Sequence, residues 1–250
     1  MHGPITVLPI LSKLLEKHIC DHLCDFPEEN ALLHRFQSGV RKFHSTGTAL
    51  IRLVDQLLFD LDKSKVSGLV FIDYKKAFDL IHHGLLLEKL KAYGHSTVDI
   101  YADDTTLSLS SDMTNGLTVM SSALQQDLDD VSRWSAANKM VTNAVKTKCL
   151  LVTGKRISFK LDNCSLELKL ANSDKEQVDS QKLLGVTIDK HLSFDVRVEE
   201  LCKKLSQRIA VLRKIRRFIP IEQRTLYCNA MIKQVMLYGS TIWSNCSADY

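Results

Sequence analysis

Two short β-prone runs, Val98-Asp99-Ile100-Tyr101 and Thr105 to Ser110, flank the acid pair Asp103-Asp104. Such runs around a tight polar turn read as a β-hairpin with an acidic tip. This feature constrains the fold more than any other. It demands a sheet with antiparallel pairing, and it puts two carboxylates at one end of that sheet. Upstream, Gly68-Leu69-Val70-Phe71-Ile72 is continuously apolar and ends in Asp73. A run apolar on both faces fits a buried strand. If these strands are neighbours in one sheet, Asp73, Asp103 and Asp104 converge.

Helical periodicity surrounds the strands. From Pro9 to about Asp25, Leu11, Leu14, Leu15, Ile19 and Leu23 recur at helical spacing. Gln37 to Ser45 is polar and basic and reads as a loop. Thr46 to about Asp62 reads as a second helix with Leu50, Leu53, Leu57 and Leu58 inward. Asp79 to Tyr93 is predicted helical, with Gly94 as a C-cap. Leu117 to Asn138 is predicted helical, with Met120, Leu124, Leu128, Val131 and Trp134 on one face. Three β-prone runs follow, at Cys149–Thr153, Leu166–Leu170 and Lys182–Asp189. The stretch from Ser193 to about Tyr238 is helical in pieces, broken at Pro220. Mixed and segregated helices and strands make the fold class α+β.

The net charge of +4 is unevenly spread. Leu201 to Lys233 carries nine Lys or Arg against the single acid Glu222. Such a segment suits a polyanion, or a solvated helix face. The seven cysteines are odd in number and scattered, as expected of a reducing, intracellular setting in cytoplasm or nucleus. No run reaches the roughly 18 apolar residues of a membrane span, so no membrane partner is expected. His18, Cys20, His22 and Cys24 look like metal ligands. On a helix, however, the two cysteines lie about 200° around from the two histidines, too far for one ion.

Three converging carboxylates suit phosphoryl transfer. Hard oxygen ligands match Mg²⁺, and two such ions can activate a hydroxyl and stabilise a leaving phosphate. A bare Asp-Asp pair is more often an ordinary turn. Its neighbours change that weighting.

Val70-Phe71-Ile72-Asp73-Tyr74-Lys75-Lys76-Ala77-Phe78-Asp79 resembles the first palm motif of the reverse transcriptases of non-LTR (LINE-type) retrotransposons. Tyr101-Ala102-Asp103-Asp104 resembles that family's catalytic turn, and Gln37 through Thr46 resembles its fingers motif. Asn138-Lys139-Met140 through Lys146-Thr147-Lys148 resembles the later palm motif. Leu183-Leu184-Gly185-Val186 resembles the strand pair that grips the primer. The tail through Tyr238-Gly239-Ser240-Thr241-Ile242-Trp243 resembles the thumb. These motifs stand in the family's order along nearly the whole chain.

The resemblance implies a polymerase right hand: partial fingers over 1–66, a truncated ferredoxin-like palm over 67–192, and a helical thumb over 193–250. It implies an RNA template, a DNA primer, deoxynucleoside triphosphates and two Mg²⁺ ions. Asp73, Asp103 and Asp104 map onto the catalytic, metal-binding carboxylates. Arg41 and Lys42 map onto a basic pair that meets the incoming nucleotide, although Val40 stands where the family usually has Phe. Phe78 maps onto the aromatic that crowds the sugar 2′ position and so selects deoxynucleotides. Lys146 falls where a lysine lies near the pyrophosphate, beside an Ala144-Val145 step that departs from a usually polar pair.

The chain also departs from the family at one larger place. Asp103 follows Asp73 by only 30 positions, and the family's Gly-x-Pro-Gln-Gly segment, which lies beneath the nascent base pair, has no counterpart. Nor is there a match to the endonuclease or the first part of the fingers found in intact elements, or to an RNase H domain. The expectation is therefore a reverse transcriptase domain with an internal deletion, or a gene assembly that skips a segment. A non-catalytic nucleic-acid-binding remnant is the alternative. A carboxylate-dependent phosphohydrolase is a third reading, but it leaves the fingers and primer-grip resemblances unexplained.

Overall fold

Strand β1 (Lys65–Ile72) lies at the centre of the fold, because its alternating side chains feed two separate cores. Val66, Val70 and Ile72 enter one core, while Leu69 and Phe71 enter the other. This is the period-2 consequence of a strand buried on both faces. The computed structural model describes residues 10, 12–15, 17, 18, 20, 25, 37–39, 41–75, 97–101, 104–112, 116–137, 140–158, 161, 164–171 and 173–244.

Further strands follow in chain order: β2 (Tyr74–Lys75), β3 (Thr97–Tyr101), β4 (Asp104–Asp112), β5 (Val141–Thr142) and β6 (Lys148–Val152). The main sheet has the order β3-β4-β1-β6 and is antiparallel throughout. Tyr101 pairs with Asp104, so β3 and β4 form the expected hairpin with Ala102 and Asp103 between its ends. Ile72 pairs with Thr105, which makes β1 the hairpin's direct neighbour.

Helix α1 (Thr46–Asp62) covers one face of the sheet. Ser45 caps it in a reciprocal box: Thr48 N–H donates to Ser45 Oγ at 3.2 Å, and Ser45 N–H donates to Thr48 Oγ1 at 2.8 Å. Leu50, Leu53 and Leu57 are buried as the periodicity predicts. Leu58 is not; it is 43% exposed, because one residue past Leu57 turns it about 100° off the buried stripe. Helix α2 (Gly116–Ala137) covers the other face, with Met120, Leu124, Leu128 and Val131 buried and Trp134 packed at the margin. Gly68 permits this contact. A Cβ there would stand 2.7 Å from Leu124 Cδ1.

Of the Leu166–Leu170 run, only β7 (Lys169–Leu170) is strand, paired with β8 (Ser173–Asp174). The Lys182–Asp189 run is not one strand. It is a second hairpin, β9 (Ser180–Leu183) and β10 (Val186–Asp189), turning at Leu184 and Gly185. Both turn residues have positive φ, +46° and +82°, as a two-residue hairpin turn requires. This hairpin packs with α1 in the second core.

Helix α3 (Asp195–Ile215) then leads away. Asp189 sets its start, accepting hydrogen bonds from the N–H groups of His191, Ser193 and Phe194 at 3.2, 3.0 and 2.7 Å. After a break at 216–220 the chain returns through α4 (Ile221–Tyr227), a π-helical stretch Cys228–Lys233 and α5 (Gln234–Leu237). Tyr227 Oη donates to Arg208 O at 3.1 Å, joining the returning limb to α3. None of residues 221–237 is buried, so this limb stands in solvent. The final turn, α6 (Ser240–Trp243), returns Ile242 to the core against α1.

The described residues between Ile10 and Asp25 are helical, as periodicity suggests, but Leu14 and Leu15 are each 61% exposed. The predicted helix over 79–93 and the Gly94 cap lie outside the described residues. No helix among the described residues is long and apolar enough to cross a membrane.

Candidate active site

The pairing of Ile72 with Thr105, continued by one step, sets Asp73 beside Asp104 at the end of the sheet. Phe71 is flanked by Thr106 on β4 and Lys148 on β6. By strand alternation these side chains share the sheet face that α1 and the β9–β10 hairpin cover. The result is an open cavity of about 390 Å³. Phe71, Asp73, Asp104 and Thr106 line it from the sheet, Lys146 and Lys148 from one side, and Gln181 and Lys182 from β9.

Asp73 is held by a single turn. Asn143 Nδ2 donates to Asp73 Oδ2 at 2.8 Å, and Asn143 N–H donates to Asp73 O at 2.7 Å. Lys146 Nζ stands 3.8 Å from the same Oδ2. Asp104 is exposed at the hairpin tip. Behind it, a small cavity of about 20 Å³ separates Asp104 and Tyr101 from α1 and the tip of the β9–β10 hairpin. Arg52 on α1 forms an ion pair with Asp99 on β3 beside this space. Burial raises the Asp99 carboxyl above its ordinary range, and the Arg52 guanidinium opposes that rise.

The sequence-predicted residues divide into three groups. Asp73, Asp104 and Lys146 come together at one cavity. Arg41 and Lys42 are not among its lining residues, and Lys42 is ion-paired with Asp25. Asp103 and Phe78 lie outside the described residues. Sequence reasoning misses Asn143, Lys148 and Gln181 as part of the site, and reads Lys182 only as part of a strand. Asn143 sits 70 positions from Asp73, so no local pattern links them.

Two carboxylates facing one open cavity supply the hard oxygen donors that a divalent cation prefers, and the lysines that line the same cavity suit phosphate oxygens. Among the described residues no group of three or more His, Cys, Asp or Glu could hold a metal ion. Asp73 and Asp104 would therefore hold such a cation as a pair, or with a third donor from outside those residues.

No family model matches the chain. It is similar to a probable RNA-directed DNA polymerase from transposon BS of Drosophila melanogaster, 25% identical over 311 aligned residues. That alignment takes in 97% of this chain and 33% of the relative. Similarity also extends to the RNA-directed DNA polymerase from mobile element jockey of Drosophila funebris, 36% identical over 36% of the chain and 10% of that protein. A probable RNA-directed DNA polymerase from transposon X-element of Drosophila melanogaster is 33% identical over the same share of the chain. The chain thus spans about a third of the length of the transposon BS relative. An alignment of 311 positions to a chain of 250 residues also requires that this relative carry segments the chain lacks. In sequence, the chain is a relative of the RNA-directed DNA polymerases of Drosophila non-LTR mobile elements.

Proposed function

We propose that the chain is the polymerase portion of a reverse transcriptase, adding deoxynucleotides to a primer 3′-hydroxyl on an RNA template. The observation that carries this reading is the meeting of Asp73, Asp104 and Lys146 at one open cavity, in a chain whose relatives are named as such polymerases. In this reading residues 1–66 are partial fingers, 67–192 a ferredoxin-like palm and 193–250 a thumb. Asp73 and Asp104, with Asp103, would hold the catalytic cations, which we take to be two Mg²⁺. Bound there, divalent ions supply charge neutralisation at the reacting phosphate. The primer oxygen bonds to the α-phosphorus as the bond to pyrophosphate breaks, and the hydroxyl proton leaves to solvent or a base.

The chain's own residues orient and neutralise. Lys146, beside Asp73, is set to meet the phosphate charge that leaves, with Lys148 on the same side of the cavity and Lys182 on β9. Arg41 and Lys42 would meet the triphosphate from the fingers loop, and Phe78 would exclude a 2′-hydroxyl. The exposed basic limb from α3 to α5 suits the phosphates of a template–primer duplex.

A second reading is favoured by a specific observation. The 29 residues between Asp73 and Asp103, and the extra segments of the transposon BS relative, fit a chain that keeps nucleic-acid binding but lacks the floor of the nucleotide site. Primer extension on an RNA template in Mg²⁺ decides between them. The proposed function expects extension that Asp73→Asn lowers at least a hundredfold. Salt-sensitive duplex binding with no extension would favour the remnant.

A further inference from the structure

We infer that Asn143 is a positioning residue for Asp73, fixing one carboxylate oxygen so that the other is presented to a divalent cation. This rests on the cation-binding part of the proposed function.

The geometry is a cradle around one residue. The short β2–β5 ladder pairs Tyr74 with Thr142, so Asp73 and Asn143 fall side by side at its end. Asn143 N–H closes onto Asp73 O at 2.7 Å, fixing the backbone. Asn143 Nδ2 donates to Asp73 Oδ2 at 2.8 Å, fixing the side chain. Asp73 N–H reaches Thr147 Oγ1 at 3.5 Å, and that hydroxyl donates to Asn143 O at 2.9 Å. The turn is anchored from its far side as well: Lys175 Nζ, on a largely buried lysine, donates to Ala144 O at 2.7 Å.

The donors on the carboxylate are one-sided. Asn143 and Lys146 both approach Oδ2, and no described residue donates to Oδ1. An amide bonded to one oxygen of a carboxylate fixes the plane and direction of the other. Hydrogen bonds of this kind orient metal ligands, and their removal typically costs about ten- to a hundredfold in metal affinity. A purely structural role would need only the backbone bond, which any residue at 143 except proline can make. The side-chain bond adds nothing to the turn's own closure, which runs through Lys146 N–H and Thr147 N–H to Asn143 O.

The test is Mn²⁺ binding to the full chain, followed by electron paramagnetic resonance, for the unmodified protein, Asn143→Ala, Asp73→Asn and Gly68→Ala. Asn143→Ala keeps the backbone bond and is expected to fold, as circular dichroism and thermal melting would register. Its Mn²⁺ dissociation constant should rise about tenfold. Gly68→Ala, on the opposite sheet face, should lower the thermal midpoint and leave Mn²⁺ affinity unchanged. Mn²⁺ affinity in Asn143→Ala within twofold of the unmodified chain, with Asp73→Asn clearly weakened, overturns the role of Asn143 alone. Absence of Mn²⁺ binding, or binding indifferent to Asp73→Asn, overturns the cation site itself and this inference with it.

Discussion

Arg52 on α1 is ion-paired with Asp99 on β3, five positions before Asp104 at the tip of the hairpin. The pair ties the edge strand of the sheet to the helix that covers it. Asp99 is the more enclosed partner, with 14% of its side chain exposed against 32% for Arg52. Removing the guanidinium leaves a largely buried carboxylate uncompensated.

Arg52→Ala should therefore destabilise the fold by roughly 1–3 kcal/mol at neutral pH, less than a fully buried pair because Arg52 is partly in water. The pH dependence has a definite sign. Burial already raises the Asp99 carboxyl, and losing Arg52 removes the influence that lowers it. A carboxyl raised in the folded state is stabilising while protonated, below its unfolded value, and that contribution is lost as pH rises through the folded value. The gap between Arg52→Ala and the unmodified chain should thus narrow as pH falls from 7 toward 4. Urea denaturation across that range measures it; a constant gap would mean that Asp99 is not the group left exposed to the change.

Tyr238 joins three elements at one hydroxyl. Its Oη lies 2.5 Å from Leu184 O and 3.2 Å from Thr46 Oγ1, while its ring stands 3.1 Å from where a Cβ on Gly185 would be. Tyr238→Phe should cost about 1 kcal/mol, the usual net value of a hydrogen bond. Gly185→Ala should cost more, since φ of +82° strains any side chain and the new methyl meets the ring. Thermal melts of the two variants should rank in that order.

How far the sequence discloses this molecule follows from the range of its interactions. The bounds of helix α1 are legible, because its leucines repeat at local spacing, although Leu58 turns out of the buried stripe and the Ser45 cap goes unread. The Asp73 strand and the acidic hairpin are legible for the same reason. The β9–β10 turn is legible only through the resemblance of Leu183-Leu184-Gly185-Val186 to a strand pair, not from its own residues. Leu184-Gly185 is a weak turn signal, and the positive φ at Leu184 is imposed by pairing on either side and by Tyr238, 54 positions away. Lys146 is placed by resemblance, but Asn143 and Lys148 join Asp73 only once β5 and β6 have folded back beside β2 and β1. Those contacts are written in the register of the sheet rather than in any stretch of sequence.

At Gly68 the side chains of α2 lie directly against the backbone of β1. A Cβ there would sit 2.7 Å from Leu124 Cδ1 and 3.3 Å from both Met120 Sδ and Cε. Leu124 and Met120 are themselves fully packed. Gly68→Ala should cost about 1–3 kcal/mol through overpacking, and Gly68→Val more. Pairing Gly68→Ala with Leu124→Ala gives the sharper measurement. If the clash is the cause, the double variant should lose less stability than the two single losses added together, by roughly 0.5–3 kcal/mol.

Cys149 on β6 has no exposed surface, and burial pushes its thiol up to about 11 from an ordinary 9.0. The folded chain therefore keeps a proton that the unfolded chain releases first. The stabilising contribution is complete below about pH 9 and is lost as pH rises toward 11. By linkage, that contribution amounts to roughly 2–3 kcal/mol, lost gradually across the window. Cys149→Ala loses packing at every pH but should show a flatter decline between pH 9 and 11 than the unmodified chain. Thiol labelling at about pH 8 offers a second check: the exposed Cys20 and Cys202 should react with a disulfide reagent well before Cys149 does. Labelling of Cys149 at the rate of Cys202 under native conditions would mean that β6 opens locally, and that the face carrying Lys148 opens with it.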